Sequence, residues 1–337
     1  MNFDERVRRK NEFDASIVYG TGVFNKLTGR DSLLNEREKN DDQWLNETTG
    51  IVDQKYTEPR TCPLCGNDIS TTLFIKSGFP HVKCSSCQLV YVNQMLTEKE
   101  YEKLYSTESE WANILQNEHQ IKMQTLESNY SLDIVELYLD KTTLTAICDI
   151  GCGPGTLLNE AKKRGYDVLG IEPNSNYHSA LKEKEIEYVG EYFPLKTEVP
   201  QKFDCMFLLN VLEHMRNPIE VVLYAKKILK KNGLIYISVP CIDALVNRIM
   251  HEKAGAFGGH SHLQLFGIET IQTFLKKTGF EILEYETIIT ELGVIHNYLH
   301  YENPYFGEIR EMFNFLSPEI IYKNHLARNV NIVGRIQ

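Results

Sequence analysis

The sequence has no apolar run that approaches the roughly 18 residues needed to span a membrane, and we find no internal repeat or low-complexity tract in its 337 residues. Its start, MNFDERVRRK, is too charged for the apolar stretch of a signal peptide. Positive charge is also scarce, because 36 Lys and Arg stand against 46 Asp and Glu. These absences predict a soluble, cytoplasmic protein and disfavour nucleic acid as its partner.

What is present is ordinary globular composition, with 42% hydrophobic and 10% aromatic residues. Residues 1–60 are polar and contain no motif, so we predict only an extension of unassigned role. Residues 61–96 contain two cysteine pairs, and residues 97–143 have apolar residues at helical spacing, which predicts a helical linker. From residue 144 to residue 337 strands and helices alternate, which predicts an α/β fold with a doubly wound parallel sheet. Nothing in this pattern indicates an oligomeric state.

In residues 144–337, apolar runs, capping residues and Gly or Pro stops predict the individual strands and helices. The predicted strands are 146–150, 167–171, 203–209, 234–239, 280–287 and a last strand near 331–336. The predicted helices are 156–163, 175–184, 218–231 and 269–277. A loop rich in Gly and His, residues 255–265, follows the strand 234–239.

A glycine-rich turn follows the first strand of this series, in the order Asp149-Ile-Gly151-Cys-Gly153-Pro-Gly155. Backbone amides and a helix N-terminus at such a turn form a site for an anion or a nucleotide. The dinucleotide pattern G-x-G-x-x-G requires a glycine where this chain has Thr156, which argues against a pyrophosphate. The next strand ends at Glu172, whose carboxylate can accept hydrogen bonds from both hydroxyls of a ribose. Either feature alone indicates no more than a tight turn or a solvated Glu, but together they predict a nucleoside site.

Residues 146–240 resemble the class I S-adenosylmethionine-dependent methyltransferases (SAM-dependent methyltransferases). The resemblance lies in four segments: CDIGCGPG, GIEPN, FDCMFLLNVLEHMRNP and KKNGLIYISVP. It implies a Rossmann-like sheet, S-adenosyl-L-methionine as the cofactor and methyl transfer as the activity. It further implies that Asp149, Gly151 and Gly153 surround the methionine part, that Glu172 binds the ribose, that Glu191 and Tyr192 flank the adenine, and that Asn210 lines the methionine end.

Cys62-Pro-Leu-Cys65 and Cys84-Ser-Ser-Cys87 are separated by 18 residues, which lies within the range of a four-thiolate zinc site. The alternative is a pair of redox dithiols or two disulfides, which a cytosolic location disfavours. Four cysteine ligands leave no open coordination position, so this zinc ribbon is predicted to be structural, with a core separate from that of the sheet. The other cysteines are predicted to be small buried residues: Cys148, Cys152, Cys205 and Cys241.

The segment CPLCG…KCSSCQLVYVN resembles the zinc-ribbon leader that precedes many bacterial methyltransferases of polysaccharide and sugar-nucleotide pathways. This resemblance implies an acceptor that is a sugar, a nucleotide sugar or a glycan, and methylation of one of its hydroxyls. Two other functions remain open. One is an RNA methyltransferase with a zinc finger, although residues 62–94 contain only Lys76 and Lys83 as bases. The other is a non-catalytic scaffold that retains the cofactor fold.

Methyl transfer to a hydroxyl requires alignment of donor and acceptor and removal of a proton. His260 and His262 lie in the loop after the strand 234–239 and His214 follows the strand 203–209, so these three are the predicted catalytic candidates. Asn210-x-x-Glu213-His214 is similar to the E-x-x-E-H metal site of ubiquinone-pathway and small-RNA methyltransferases. It lacks the first carboxylate, which disfavours a catalytic metal. Three residues of an aromatic stretch can face the acceptor or lie in the core: Tyr298, His300 and Tyr301.

Overall fold

The computed structural model describes residues 1–17, 24, 27–29, 42–107, 109–139, 145–199, 202–300 and 316–337. The described helices are α1 (Phe3–Ile17), α2 (Glu98–Thr107), α3 (Ser109–Leu115), α4 (Glu118–Glu136), α5 (Thr156–Lys163), α6 (His178–Glu183), α7 (Pro218–Ile228), α8 (Leu245–Met250), α9 (Ile268–Lys277), α10 (Leu292–His300) and α11 (Pro318–Lys323). The described strands are β1 (Thr57–Pro59), β2 (Ser70–Lys76), β3 (Phe79–Cys84), β4 (Val90–Val92), β5 (Gln94–Leu96), β6 (Ala146–Ile150), β7 (Asp167–Ile171), β8 (Glu187–Val189), β9 (Phe203–Leu209), β10 (Leu229–Pro240), β11 (Gln264–Leu265), β12 (Phe280–Ile288) and β13 (Asn329–Ile336).

A seven-stranded sheet has the order β12-β13-β10-β9-β6-β7-β8, which confirms the predicted α/β class. The neighbouring strands in the order β10-β9-β6-β7-β8 pair in parallel. In chain order, each of these five strands is connected to the next through a crossover segment, as parallel pairing requires. β13 pairs antiparallel with both β10 and β12. The amino end of β13 therefore lies at the same sheet edge as the carboxyl ends of the parallel strands, where α/β proteins bind ligands.

The two faces of this sheet bury different partners, as the two-residue period of a strand requires. Cys148, Met206 and Ile237 face one side, where they pack in one core with residues of α7, α9 and the cysteine-containing segment. Ile147 and Phe207 face the other side and pack against residues of α4 and α5. The central strands are consequently buried on both faces, which explains their continuous apolar sequences.

Several helix boundaries differ from the prediction, since the predicted helix 175–184 is a 3-10 turn followed by α6 and the predicted helix 269–277 begins at Ile268. The largest consequence is at the end of α7. Pro218 begins α7 as expected, but the helix ends at Ile228 instead of continuing to residue 231. β10 begins at Leu229 instead of residue 234, and its pairing with β9 shifts register between Leu229 and Leu234. The reason is the turn residue Asn232, which adopts a positive φ of 63° and lets the chain bulge within the strand.

The cysteine-containing segment folds into a four-stranded sheet in the order β11-β4-β3-β2. We call residues 57–96 the ribbon. Its strand β4 pairs with β11, which lies at the end of the predicted loop 255–265, with Gln264 opposite Tyr91 and Leu265 opposite Val90. The ribbon sheet thus includes a strand from the chain that follows the main sheet.

The prediction that ribbon and main sheet have separate cores is wrong. Cys84 and Leu89 of the ribbon belong to the same hydrophobic core as Val239 of β10 and Phe266. The physical reason is size, because a segment of this length cannot enclose an apolar core of its own and must pack against a neighbour. The four other cysteines are buried and unpaired, as predicted.

The N-terminal segment, to which the sequence assigned no role, includes a helix that packs on the main domain. Lys10 of α1 is 3% exposed, and its Nζ donates hydrogen bonds to Glu286 Oε2 at 3.1 Å and to Thr287 O at 3.3 Å. Asp14 accepts a hydrogen bond from the backbone N–H of Thr290, and burial raises the pKa of its carboxyl to about 6. None of the described helices is long and apolar enough to cross a membrane.

Candidate functional site

The glycine-rich turn lies between β6 and α5, and its shape requires glycine. Gly151, Gly153 and Gly155 have φ values of 68°, 53° and 75°. A Cβ at Gly151 would lie 2.7 Å from Val211 Cγ2, whereas a Cβ at Gly153 would meet no atom within 4 Å. The turn is therefore packed on one side and open at Gly153, where a ligand can approach the backbone.

Two buried carboxylates lie beside this turn. Glu172 is 5% exposed, and its oxygens accept hydrogen bonds from the backbone N–H groups of Gly153 and Asn174, each at 2.8 Å. Asp149 is 4% exposed, and its Oδ1 has no hydrogen-bond partner among the described residues. Burial raises the pKa of both carboxyls, and the charge of Glu172 adds to the effect at Asp149. The unsatisfied Oδ1 of Asp149 and the remaining lone pairs of the Glu172 oxygens fit a ligand that donates hydrogen bonds, as the hydroxyls of a ribose and the ammonium of methionine do.

The residues predicted to flank the adenine lie on an exposed turn after β8. Glu191 accepts hydrogen bonds from the backbone N–H groups of Lys196 at 3.0 Å and Thr197 at 3.2 Å, so it stabilises its own turn. Tyr192 is 67% exposed. The assignment of both residues to the adenine stays a prediction, with the exposed ring of Tyr192 available for stacking.

Asn210 lies at the tip of β9, as predicted for a residue at the methionine end. Its φ is 54°, and its Oδ1 accepts a hydrogen bond from Asn329 Nδ2 at 2.7 Å. Sequence reasoning missed Asn329 and its neighbour Arg328. The signal was a pair of polar residues at the start of the apolar strand β13, whose amino end the antiparallel pairing brings to this edge.

Glu213, His214 and His262 form a compact group near the carboxyl end of β9. Their potential ligand atoms all lie within 4.8 Å of one another. Glu213 is 1% exposed, and neither of its carboxylate oxygens has a hydrogen-bond partner among the described residues. Burial raises the pKa of this carboxyl to about 8, while the charge of Arg328 opposes the increase. We call these three residues the acceptor cluster.

The tautomers of the two histidines follow from their hydrogen bonds. His214 Nδ1 lies 2.8 Å from Ser261 O, and His262 Nδ1 lies 2.7 Å from Ala256 O. A carbonyl oxygen can only accept, so each Nδ1 carries the hydrogen and donates it. In the neutral rings the lone pair is therefore on Nε2, the atom that can accept a proton or bind a metal ion.

His260 is not part of this group. Its ring lies beside Trp44 and Phe79, with ring centroids 5.5 Å and 6.4 Å away, and its backbone carbonyl accepts a hydrogen bond from Tyr101 Oη. Tyr298 of α10 is half-buried beside Lys253. The side chain of His300 and all of Tyr301 lie outside the described residues.

The four ribbon cysteines come together as their spacing predicted. Their sulfur atoms lie within 4.8 Å of one another, with Cys62 and Cys87 at 3.4 Å and Cys65 and Cys84 at 3.5 Å. A disulfide requires about 2.05 Å, whereas sulfurs bound at about 2.3 Å to one tetrahedral ion are about 3.8 Å apart. The arrangement therefore fits a four-thiolate metal site and not a pair of disulfides.

Comparison with known families places the main sheet in a functional context. A family described as "Methyltransferase domain" matches residues 123–285, which include the glycine turn and the acceptor cluster. The ubiquinone biosynthesis O-methyltransferase of Aliivibrio fischeri is 28% identical over 188 residues, which are 50% of this chain and 78% of that protein.

Two further similarities were found. The tRNA U34 carboxymethyltransferase of Azotobacter vinelandii is 28% identical over 142 residues, which are 40% of this chain and 44% of that protein. Among solved structures, magnesium protoporphyrin IX methyltransferase from Synechocystis aligns with a TM-score of 0.48 and 12% identity. That alignment covers 71% of this chain and 100% of the other.

Proposed function

We propose, from the premise that the chain is a SAM-dependent methyltransferase, that it methylates a hydroxyl of a small acceptor: a sugar, a nucleotide sugar or a glycan. One observation carries this proposal. Glu213 is buried without a hydrogen-bond partner among the described residues, next to two histidines whose neutral rings have their lone pair on Nε2. An acceptor hydroxyl would satisfy the carboxyl and deliver its proton to an imidazole.

Two similarities support a hydroxyl acceptor of this kind. The relative from Aliivibrio fischeri is by name an O-methyltransferase. The ribbon is similar to the leader that precedes sugar-pathway methyltransferases, and this second similarity is what points to a sugar. The non-catalytic scaffold is excluded by the premise that the chain is an enzyme.

In this proposal the donor and the acceptor have separate binding residues. Asp149, Gly151 and Gly153 bind the methionine part of SAM and Glu172 binds its ribose, while the acceptor cluster faces the methyl group. Transfer from a sulfonium is an in-line displacement, so these residues mainly align the reactants, exclude water and remove one proton. His262 Nε2 accepts that proton, and His214 with Glu213 orients the hydroxyl.

The acceptor cluster also has the donor set of a divalent-cation site, because one carboxylate and two imidazoles suit such ions. Each imidazole donates its Nδ1 hydrogen to a carbonyl, as metal-binding histidines commonly do. The sequence disfavoured a metal here because Asn210 replaces a carboxylate, but the structure adds His262 as a third ligand. Metal-dependent methyl transfer is therefore the second candidate for this site.

We assign zinc to the four ribbon cysteines as a structural ion. The sulfur separations of 3.4 and 3.5 Å support this assignment, and the four thiolates would fill all four positions of a tetrahedral ion. The chemistry that zinc supplies here is cross-linking of the two cysteine turns.

The experiment that tests the function is incubation of the zinc-loaded protein with methyl-labelled SAM and separate pools of nucleotide sugars, glycans and RNA. We expect label in a sugar-containing pool, and about a hundredfold slower labelling with the His262→Ala variant. Label in RNA alone would contradict the proposal. An RNA acceptor is disfavoured because residues 62–94 contain only two Lys residues, and the side chain of one of them, Lys76, donates a hydrogen bond to Ala254 O. A chelator that spares the ribbon zinc distinguishes the two mechanisms, since only metal-dependent transfer stops.

A further inference from the structure

Gln264 is a buried amide that joins the ribbon to the short helix Leu212–His214. Its side chain is fully buried, and its backbone pairs with Tyr91 of β4. Its Oε1 accepts a hydrogen bond from Arg60 Nη2 at 2.8 Å. Its Nε2 donates to Leu212 O at 2.6 Å and to Met215 O at 2.9 Å. One side chain thus binds the ribbon with its oxygen and the turn after β9 with its nitrogen.

Chemistry allows this amide only one orientation. A guanidinium only donates hydrogen bonds and a backbone carbonyl only accepts them. Rotation of the Gln264 amide by half a turn would place its oxygen against two carbonyl oxygens and its NH₂ group against Arg60. Each polar atom of the side chain is therefore satisfied in the observed orientation alone, which makes the contact specific as well as buried.

Arg60 is anchored to the ribbon on its other side. It lies two residues before Cys62, its backbone N–H donates to Asn93 O at 3.0 Å, and its guanidinium lies over the Tyr91 ring at 5.7 Å. Burial lowers the pKa of this guanidinium to about 10. A zinc ion with four thiolates has a net negative charge, so a buried cation beside Cys62 is electrostatically favourable there.

The turn that Gln264 binds has little internal support. The helix Leu212–His214 has three residues, and no side chain caps its N-terminus. From the segment that forms β11 it receives the two amide bonds of Gln264 and a bond from the backbone N–H of Leu263 to Glu213 O at 2.8 Å. The position of this turn is therefore determined by a strand that belongs to the ribbon sheet.

We propose that Gln264 is a positioning residue through which the ribbon holds Glu213 and His214 in place for the acceptor. The ribbon then contributes to the active site, although none of its side chains belongs to the acceptor cluster. The inference deepens the proposed function and rests on the assignment of the acceptor cluster. In this proposal the ribbon affects turnover but does not affect the binding of SAM.

The test compares Gln264→Glu with the wild type and with Gln272→Glu, a matched change at a half-buried position of α9. The carboxylate keeps the size and the bond to Arg60 but loses both donors to the turn. Hydrogen exchange of the full, zinc-loaded chain, followed by mass spectrometry, reports each segment separately. In Gln264→Glu we expect exchange of residues 211–216 to be about tenfold faster. Residues 147–156, zinc content and SAM affinity by calorimetry should stay at wild-type values, as should all readouts of Gln272→Glu.

Turnover supplies a second readout on the acceptor that the labelling experiment identifies. Gln264→Glu should lower kcat about tenfold with the KM for SAM unchanged, because only the acceptor side moves. If Gln264→Glu does not fold, Arg60→Met decides, since it removes the ribbon partner and should accelerate exchange of residues 211–216 about threefold. Wild-type exchange in that segment in the folded variant would overturn the proposal. The proposed function fails by a different result, full turnover of His262→Ala.

Discussion

We call the glycine turn with Asp149 and Glu172 the proposed donor side, and the acceptor cluster the proposed acceptor side; the two are built in opposite ways. On the donor side, Glu172 binds the glycine turn across 19 residues of sequence, within one strand-helix-strand unit. On the acceptor side, His214 contacts Ser261 across 47 residues and Arg60 contacts Gln264 across 204. The donor side is therefore a local motif, whereas the acceptor side depends on the ribbon and the main sheet being correctly packed.

This difference explains how one sheet can serve many acceptors. The local unit needs only its glycines and one carboxylate, so it can be retained while the rest of the chain changes. The segment after β10 is instead paired with β4 of the ribbon, and it places His262 opposite a turn of the main sheet. A change in the ribbon should consequently alter acceptor chemistry while SAM still binds.

Removal of the proposed ribbon zinc should give the largest effect and should disrupt the proposed acceptor side first. We expect Cys84→Ser, or the chelated protein, to lose about 4 kcal/mol or more of unfolding free energy, because the ion cross-links a segment that shares the main core. Urea unfolding measures this loss, and calorimetry should still detect SAM binding to the folded fraction. Cys205→Ala, a buried cysteine outside the cluster, should keep the metal. An unchanged urea midpoint in Cys84→Ser would refute the structural role.

Loss of the proposed base should be nearly as large in catalysis but leave the donor side intact. We expect His262→Ala to lower turnover about a hundredfold with SAM affinity unchanged, since the ring contacts the acceptor side only. Steady-state kinetics on the identified acceptor measures the turnover, and calorimetry with SAM measures the affinity. The comparison variant is His260→Phe, which keeps an aromatic ring beside Trp44 and should retain turnover within about threefold. Loss of turnover in His260→Phe but not in His262→Ala would instead assign the role of base to His260.

On the donor side, Glu172→Ala should weaken SAM binding by about 1.5–3 kcal/mol, the size of lost hydrogen bonds to a charged acceptor. Calorimetry checks this value, and Glu185→Ala, at an exposed carboxylate that pairs with Lys162, is the matched control. Turnover at saturating SAM should change less than affinity does. Equal affinities of the variant and the wild type for SAM would show that Glu172 does not bind the ribose.

The smallest effects should come from substitutions in the glycine turn, and these effects should differ between Gly151 and Gly153. Gly153→Ala places a Cβ in open space at positive φ, so it should destabilise the fold by only about 1 kcal/mol while obstructing SAM. Gly151→Ala places its Cβ against Val211 Cγ2 and should destabilise the fold more. Thermal unfolding and SAM titration of both variants separate packing from binding. Similar losses of both properties in the two variants would argue against an open face at Gly153.

The sequence predicts the donor side because its signal is local. Asp149, the glycines and Glu172 follow strands whose apolar runs are unmistakable, and the parallel sheet brings their ends to one edge. The four cysteines are predicted for the same reason, since each pair lies in one short turn. The sequence does not predict that the ribbon shares a core with the sheet, because that depends on how two separate surfaces pack.

The acceptor side is only partly visible in the sequence. His214, His260 and His262 were predicted because they follow strands at the expected edge, and the structure brings His214 and His262 together with Glu213. The sequence could not distinguish His262 from His260. These two histidines lie two residues apart in one loop, but their side chains lie in different surroundings. That difference depends on how the loop packs, which includes the pairing of β11 with β4. Gln264 was missed altogether, since an isolated glutamine in an apolar stretch carries no pattern.

The most direct test of the account is a crystal structure of the zinc-loaded chain with S-adenosylhomocysteine, the demethylated product of SAM. The account predicts ribose hydroxyls in hydrogen-bond contact with the Glu172 carboxylate, and a sulfur atom that faces Glu213, His214 and His262. It also predicts that the Gln264 amide keeps its bonds to Arg60 and to the Leu212–Met215 turn. A sulfur atom directed away from these three residues would contradict the assignment of the acceptor cluster.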